Sequence, residues 1–532
     1  MLRSLPLSAP LIRALIRLLR SPWVKLESLV ARLSPSQISD EELLEELSGF
    51  SSMEEALRAI RAKRPAFLPE AHARDRLATL IRQELPRVEK DVLEKAEYAL
   101  KHVFDLLGSG PVDLNEFVAR YGGVDACGYL PWHHDFKTGF CWDPGRYHRD
   151  IRIPHGKADI IVPWELSRFQ HATVLGQAYW LTGDSRYAHE FVRQVEDWID
   201  RNPVGFGVNW SCPMDVAIRA ANWIVGFYFF KDSGTLSDGF LAKFLKSLLC
   251  HGRHVHDNLK HERIISNHYL ADLAGLVLIG VCFPEFREAS RWRELGLQGL
   301  LQEMERQVYE DGMDFEASTC YHRLALELFF YPALLCRRNG IELPRAFLDR
   351  LKAMFDFVLH VLKPSGMVPQ IGDNDNGRLF VFGEREVLDM TYLLTLASLF
   401  FDDASYKVEG FRFAPEALWV FGPEAYDRWR SMPGSSLKDL ESRAFPAGGI
   451  YEMRTTELFV LVSGGPNGLG GNGGHSHNDK LSFEVYAGGG DMIVDPGTYV
   501  YTPSPASRDR FRSTAFHNTV VIDGEEQNPF KK

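Results

Sequence analysis

Near the C-terminal end, residues that can bind a metal or move protons lie in glycine-rich, strand-like sequence. They occur in G-G-H-S-H-N-D-K-L-S-F-E-V-Y, V-D-P-G-T-Y and A-F-H-N-T, which contribute His475, His477, Asp495 and His517. Imidazole and carboxylate are the ligands that zinc prefers when no thiolate is offered. Histidine is also the side chain that gains or loses a proton most easily near neutral pH. The cluster could therefore hold both a metal ion and a catalytic base, although loop histidines are also common without either role.

Two other groups of polar residues stand where apolar helices are predicted to begin. S-N-H-Y-L-A-D-L-A-G places Asn267 and His268 in a first helical turn, where an amide beside a histidine could hold a substrate carboxylate. A helix cap and a satisfied buried histidine are the simpler interpretation. D-G-M-D-F-E-A-S-T-C-Y-H-R places Tyr321 on an apolar helix face, which favours core packing. In the functional interpretation Tyr321 exchanges a proton, and a cation such as Arg323 would help the phenol to ionise.

Two further motifs could contact a ligand. G-D-N-D-N-G-R has some of the spacing of a calcium loop, but Arg378 stands where that loop requires glycine. We interpret it as a tight polar loop that places Arg378 in a cleft. N-W-S contains Trp210, which is either a sugar-stacking or a core aromatic.

The elements that must position these residues change in character along the chain. Residues 36–100 are rich in charged helix formers, whereas about 105–163 is rich in Gly, Pro, Trp and His, which predicts a long irregular segment. From 164 to about 401, apolar stretches separated by short breakers predict antiparallel helix pairs. After about residue 440 apolar and polar residues alternate, which predicts a hairpin, a further strand and a weaker strand near the final D-G turn.

The predicted organisation therefore has three parts. They are an N-terminal helical segment (1–100), a helical domain (101–435) and the start of a β-sandwich (445–532). Because this sandwich would be unfinished at residue 532, we expect the sequence to be truncated.

Composition excludes some classes of function. The 532 residues are too many for one compact core, so two or three domains are expected. A net charge of −11 argues against nucleic acid as a partner, although a local cluster of Arg and His could still bind an anionic substrate. The 7 cysteines include no C-x-x-C pair, which predicts buried thiols rather than disulfides.

Targeting signals are weak. Residues 9–20 predict an amphipathic helix with three arginines on one face, packed on the protein or, as a second interpretation, on a membrane surface. No uninterrupted apolar core with a cleavage site is present, which favours a cytoplasmic over a secreted protein. No apolar run is long enough for a transmembrane helix.

In their order along the chain, these motifs resemble the heparinase II/III-like polysaccharide lyases. The resemblance is carried by W-E-L-S-R (164–168), N-W (209–210), S-N-H-Y (266–269), Y-H-R (321–323), G-D-N-D-N-G-R (372–378), H-S-H-N-D-K-L-S-F-E (475–484), V-D-P-G-T-Y (494–499) and F-R-S-T-A-F-H-N-T (511–519). It implies an incomplete (α/α) toroid followed by an antiparallel β-sandwich, with the active site in the cleft between them. It also allows a periplasmic location, which is common among degradative members.

The resemblance implies β-elimination at a uronic acid of an anionic polysaccharide or oligosaccharide. A proton leaves C5, next to the carboxylate, and the O4 glycosidic bond then breaks, which requires the developing charge to be stabilised. Asn267 and His268 would bind and neutralise the carboxylate. Tyr321 would act as the general acid toward O4, and His475 would be the base on the opposite face.

The resemblance also implies a zinc ion that is mainly structural and is held by His477, Asp495 and His517. Arg323 and Arg378 are further candidates for binding substrate anions. Trp210 is a candidate for stacking on a sugar.

Several functions stay open from the sequence. A uronate C5-epimerase would use the same proton abstraction and then return a proton from the other face, so it needs the same tyrosine and histidine as a lyase. A non-catalytic protein could bind a polysaccharide in the same cleft. A metal-dependent hydrolase would need an open metal position and an adjacent carboxylate base.

Overall fold

A computed structural model describes residues 27, 38–62, 64–154, 156–259, 265–455, 457–501 and 504–530, without the side chains of residues 126 and 127. The amphipathic helix expected at 9–20 lies outside these residues. The helices are Asp40–Glu46 (α1), Met53–Ala62 (α2), Arg74–Glu84 (α3), Pro86–Leu100 (α4), Leu114–Arg120 (α5), Gly123–Cys127 (α6), Ile161–Ser167 (α7), His171–Thr182 (α8), Arg186–Arg201 (α9), Pro213–Phe230 (α10), Asp238–Asp257 (α11), Asn267–Cys282 (α12), Ala289–Gln307 (α13), Thr319–Arg338 (α14), Arg345–Val361 (α15), Thr391–Phe401 (α16), Glu416–Phe421 (α17), Glu424–Ser431 (α18) and Pro505–Phe511 (α19).

The strands form two small hairpins and one larger sheet. The hairpin strands are Val103–Phe104 (β1), Val112–Asp113 (β2), His134–Asp135 (β3) and Phe140–Cys141 (β4), and the sheet strands are Arg443–Phe445 (β5), Ile450–Arg454 (β6), Leu458–Ser463 (β7), Ser482–Ala487 (β8) and Gly490–Ile493 (β9). The sheet is an antiparallel meander in the order β5-β6-β7-β8-β9. The region from about 105 to 163 is largely irregular between its short elements, as predicted.

The helical domain is arranged as inner and outer helices. Alternate helices α8, α10, α12 and α14 pack side by side, and each also packs against a neighbour in the chain. Every residue of α10 is buried, which its almost continuously apolar sequence requires, whereas α9 buries one face only. This alternation matches the (α/α) toroid that was predicted. Among the described residues, no helix is long and apolar enough to cross a membrane.

The sheet has one face toward the helical domain. Ile450, Phe459 and Leu461 are buried on that face, whereas Tyr451 and Met453 on the other face are exposed. The β6–β7 hairpin and strand β8 confirm the alternating pattern seen in the sequence. The weaker strand expected near the final D-G turn does not form; the structure has a single isolated bridge there, between residues 522 and 525.

Residues 362–378, between α15 and α16, fasten the sheet to the helical domain. The Lys363 ammonium lies 3.3 Å from Glu484 and 2.7 Å from Asp491. The Gln370 backbone N–H donates to Glu484 over 2.8 Å. These bonds place the end of the segment, including Asp373 and Asp375, against the glycine-rich loop between β7 and β8.

Candidate active site

Tyr321 and His475 meet where the helical domain faces the glycine-rich loop. Ser318 caps α14 by accepting the backbone N–H of Tyr321 at 3.2 Å, which sets the tyrosine in the first helical turn. The Tyr321 and His475 rings stack with their centroids 3.7 Å apart and their planes 22° apart. The structure therefore unites the two residues, but their contact leaves no room for a sugar between them. The phenol and the imidazole would therefore face a bound sugar from the same side, rather than from its opposite faces as expected.

The surroundings of Tyr321 keep its phenol protonated. The phenol donates a hydrogen bond of 2.8 Å to Asp375 and lies 3.3 Å from the hydroxyl of Tyr501. Burial, followed by the negative charge of Asp375, raises the pKa of Tyr321 well above its ordinary value. Tyr321 is thus protonated near neutral pH, as a proton donor must be.

His475 lies between two carboxylates of the helical domain. Its Nδ1 is 3.2 Å from Asp373 Oδ2, and its Nε2 is 3.4 Å from Glu316 Oε2. Burial acts to lower the pKa of His475, but the hydrogen bond to Asp373 and the charge of Glu316 outweigh it and raise the pKa. Asp373 accepts from Nδ1–H, so in neutral His475 the lone pair is on Nε2 and this nitrogen can accept a proton.

Glu316 also holds the amide of Asn267 at the start of α12. It accepts the Asn267 backbone N–H at 2.7 Å, and the side-chain nitrogen lies 2.9 Å from its Oε2. Burial raises the pKa of Glu316, although His475 and Asn267 oppose the shift. The neighbouring His268 is half-buried, with Nδ1 3.7 Å from the sulfur of Cys212. Asn267 and His475 therefore share one partner in the site.

The residues expected to bind zinc lie together. His477, Asp495 and His517 each offer a ligand atom, and these atoms lie within 4.8 Å of one another. His517 Nδ1 is 2.6 Å from Asp495, and His477 Nε2 is 3.0 Å from Asp373. In the described part of the chain, the buried His477 Nδ1 and His517 Nε2 have no hydrogen-bond partner. Two such nitrogens beside a carboxylate fit zinc.

The two arginines expected to bind substrate anions are buried and committed to other groups. Arg378 forms a 2.6 Å ion pair with Glu327, and its side chain is only 6% exposed. Arg323 donates to the Val387 carbonyl at 2.8 Å and to Asn376 at 2.9 Å, and it is 1% exposed. Neither arginine is available to a polysaccharide, and Arg323 does not contact the phenol it was expected to assist; both stabilise the helical domain instead.

Trp210 was also expected at a sugar site, and the structure places it in the core. Its side chain is fully buried, and Nε1 donates to the Asn202 carbonyl at 3.1 Å. It packs against Trp198 and the rings of His251 and His254. The core interpretation of N-W-S is therefore the correct one.

Sequence reasoning missed several charged groups of the site. Arg508, on α19, contacts Asp373 and lies 4.4 Å over the ring of Tyr501. Arg508 belongs to the basic run R-D-R-F-R, but the sequence does not indicate which carboxylate Arg508 contacts. Glu165, in the W-E-L-S-R motif, pairs with Arg168. Burial and the negative charge of Asp375 raise the pKa of Glu165 to about 7.

The chain is a protein of the toroid-plus-sheet class, in which Tyr321 contacts His475 at the junction of the two domains, near three residues that could hold a metal ion. Residues 117–402 match the family described as "Heparinase II/III N-terminus", and residues 438–532 match "Heparinase II/III-like, C-terminal". The chain belongs to the heparinase II/III family.

Known relatives agree with this assignment. The chain is 26% identical over 383 residues to the heparin-sulfate lyase of Pedobacter heparinus, covering 68% of this chain and 52% of that protein. It is 26% identical over 396 residues to the heparin-sulfate lyase of Bacteroides stercoris, covering 68% and 54%. The chain thus spans about half the length of the curated relatives it matches.

Solved structures confirm the fold class. A crystal structure of heparinase III aligns with a TM-score of 0.64 at 20% identity, over 89% of this chain and 67% of that one. The heparan sulfate lyase HepC from Pedobacter heparinus aligns with a TM-score of 0.53 at 23% identity, over 89% and 66%.

Proposed function

We propose that this protein is a polysaccharide lyase that cleaves a uronic-acid-containing anionic polysaccharide by β-elimination. The observation that carries the proposal is the contact between a protonated phenol, Tyr321, and an imidazole, His475, supplied by different domains. The curated relatives named above, which are heparin-sulfate lyases, support a glycosaminoglycan as the substrate class.

The first requirement is to hold the uronate carboxylate, because its negative charge opposes removal of the C5 proton. Asn267 and His268, at the N-terminus of α12, would receive it, where helix N–H groups favour an anion. Glu316 fixes the Asn267 amide in place. Stabilising the charge that develops as the C5–H bond breaks is the largest contribution expected from such a site.

The second requirement is proton transfer. His475 Nε2 takes the C5 proton, the electron pair of that bond forms the C4–C5 double bond, and the C4–O4 bond breaks. Tyr321 gives its phenol proton to the departing O4, so the reaction gains and loses no net proton. Proton exchange between the imidazolium and the phenolate then restores both groups.

The stacking of the two rings favours a lyase over an epimerase. Acid and base that touch can serve C5 and O4 from one face of the sugar. An epimerase must return a proton to C5 from the opposite face, where this pair provides no second group.

We also propose that His477, Asp495 and His517 hold a zinc ion with a mainly structural role. When bound, zinc would supply a fixed coordination centre for these three side chains. His477 is separated from His475 by one residue, so the coordinated loop would also fix the base. Asp373 holds the opposite nitrogen of His477, as carboxylates commonly do for histidines that bind a metal.

The experiment is to incubate the protein separately with heparan sulfate, heparin, hyaluronan and alginate and to record the ultraviolet absorbance of the new C4–C5 double bond. We expect a rise with at least one glycosaminoglycan and none with the Tyr321→Phe variant. If no uronate polymer gives a rise with the wild-type protein, the proposal is wrong. A rise only with alginate would keep the lyase and exclude the glycosaminoglycan.

A further inference from the structure

Asp373 connects the candidate base to the candidate metal site. It is fully buried, in the segment that fastens the sheet to the helical domain. Its Oδ2 lies 3.2 Å from His475 Nδ1, and its Oδ1 lies 3.0 Å from His477 Nε2. Each carboxylate oxygen thus meets a different histidine of the same glycine-rich loop.

The position of Asp373 is fixed from both sides of the cleft. Its backbone N–H donates to the carbonyl of His475 over 2.8 Å, and its own carbonyl accepts the Ser318 hydroxyl over 2.6 Å. Ser318 is the cap of α14, which carries Tyr321. The carboxylate is therefore placed relative to the acid and the base together.

An ionised carboxylate has no proton to give, so each ring nitrogen that is hydrogen-bonded to Asp373 must carry the hydrogen. The guanidinium of Arg508, which can only donate, also meets Asp373 Oδ2, so this oxygen acts as an acceptor. For His475 the choice leaves Nε2, which lies 3.4 Å from Glu316 Oε2 but is not hydrogen-bonded to it, to accept a proton. For His477 it leaves Nδ1 as the lone-pair nitrogen, and this buried atom lacks a hydrogen-bond partner among the described residues.

We propose that Asp373 is a positioning residue that sets the tautomer and ring orientation of His475 and His477 together. One side chain of the helical domain would thereby prepare both the base and the metal site of the sheet domain. The part that concerns His475 rests on the proposed lyase function. The part that concerns His477 rests only on the three side chains that could bind a metal, which are His477, Asp495 and His517. The competing interpretation is that Asp373 only forms an ion pair with Arg508 and so stabilises the contact between the two domains.

The test compares Asp373→Asn with Asp349→Asn, a control on the exposed side of α15 whose carboxylate pairs with Arg345. Asparagine keeps the shape of Asp373 but replaces one acceptor oxygen with an N–H₂ group, so both histidines cannot be held as before. We expect zinc affinity, measured by competition with a chelator, to fall about 10–100-fold. We expect kcat to fall by about the same factor while KM changes less than about twofold. The Asp349→Asn variant should match the wild type in all three quantities.

A second variant separates the two interpretations and remains informative if Asp373→Asn does not fold. Arg508→Gln removes the ion pair but leaves both bonds from Asp373 to the histidines. The proposal predicts wild-type zinc affinity for this variant. Zinc affinity that falls in Arg508→Gln about as far as is expected for Asp373→Asn would overturn the proposal.

The remaining outcomes are also decisive. Wild-type zinc affinity and kcat in Asp373→Asn, or a lowered melting temperature as its only change, would contradict the positioning role. A wild-type protein that binds no zinc would overturn the part that concerns His477. A wild-type protein without lyase activity, but with zinc affinity that falls in Asp373→Asn, would refute the lyase and support Asp373 as the residue that orients His477.

Discussion

The two halves of the active site are positioned by different means. On the helical side, Asn267 and Tyr321 stand in the first turns of long helices whose apolar bodies form the core. On the sheet side, His475 and His477 lie on a loop without regular structure, held by side chains such as Asp373 and Arg512, which donates to the Gly473 carbonyl at 2.8 Å.

This difference shows how a loop can carry chemistry that needs accurate placement. The loop passes so close to the helical domain that a Cβ on Gly468 would lie 2.5 Å from the Glu316 carbonyl oxygen. Its geometry therefore depends on contacts with the other domain and, as proposed, on a metal. Changes to residues of the helical half that do not contact a proposed zinc ligand should alter the chemistry alone, whereas Asp373, which contacts His477, and the loop itself should alter chemistry and metal binding together.

The largest effect should come from removing either proton-transfer group. We expect Tyr321→Phe and His475→Ala each to lower kcat by about 10²–10⁴-fold, because each loses general acid or base catalysis. Only Tyr321→Phe should also keep the zinc affinity of the wild type, because the Tyr321 hydroxyl meets Asp375 and Tyr501 rather than a proposed zinc ligand. Steady-state kinetics and chelator competition check both statements, and a Tyr321→Phe variant with wild-type kcat would contradict the assigned roles.

The next largest effect should come from the metal site. His517→Ala removes one proposed ligand, and we expect zinc affinity and kcat to fall about 10–100-fold or more. Hydrogen exchange should then increase in the loop between β7 and β8 and remain unchanged in α10, whose residues are all buried. Equal increases in both regions would show that the two halves are not positioned independently.

A smaller, pH-dependent effect should come from Glu316→Gln. The negative charge of Glu316 contributes to the raised pKa of His475, so its removal should lower that pKa. His475 must be neutral to accept a proton, and a lower pKa keeps it neutral to lower pH. The acid limb of the kcat/KM profile should therefore move to lower pH. The exposed Glu342→Gln serves as the control, and a limb that moves to higher pH would exclude this role of Glu316.

The smallest effect on turnover should come from Arg378→Met. This change leaves Glu327 buried without its partner and should lower the free energy of unfolding by about 3–5 kcal/mol. KM for the polysaccharide should stay the same, because Arg378 does not face the cleft. Denaturant unfolding and steady-state kinetics measure the two quantities, and a raised KM with unchanged stability would restore Arg378 as a substrate-binding residue.

Local sequence was enough to place Asn267 and Tyr321 in the helical half of the site, although not Arg323, Arg378 or Trp210. Asn267 and Tyr321 each come directly at the start of a strongly apolar stretch, and the structure begins α12 and α14 there. The change from helical to alternating periodicity likewise predicted where the sheet follows the helices.

Contacts between distant segments could not be predicted in the same way. G-D-N-D-N-G-R was recognised as a polar loop, but its sequence does not say that Asp373 meets two histidines while Arg378 turns inward to Glu327. Those pairings are fixed only when the two domains dock. The apolar residues near the final D-G turn also suggested a strand, yet Val520 and Ile522 are 72% and 71% exposed.

The assignment of His475 as the base and Tyr321 as the acid can be tested by following the C5 proton in deuterated water. The substrate is one that the wild-type protein cleaves, and deuterium at C5 is measured by NMR in the uncleaved polymer. The account predicts that Tyr321→Phe still exchanges the C5 proton without cleavage, because His475 remains, and that His475→Ala exchanges none. Exchange that persists in His475→Ala and is lost in Tyr321→Phe would make the tyrosine the base and contradict the account.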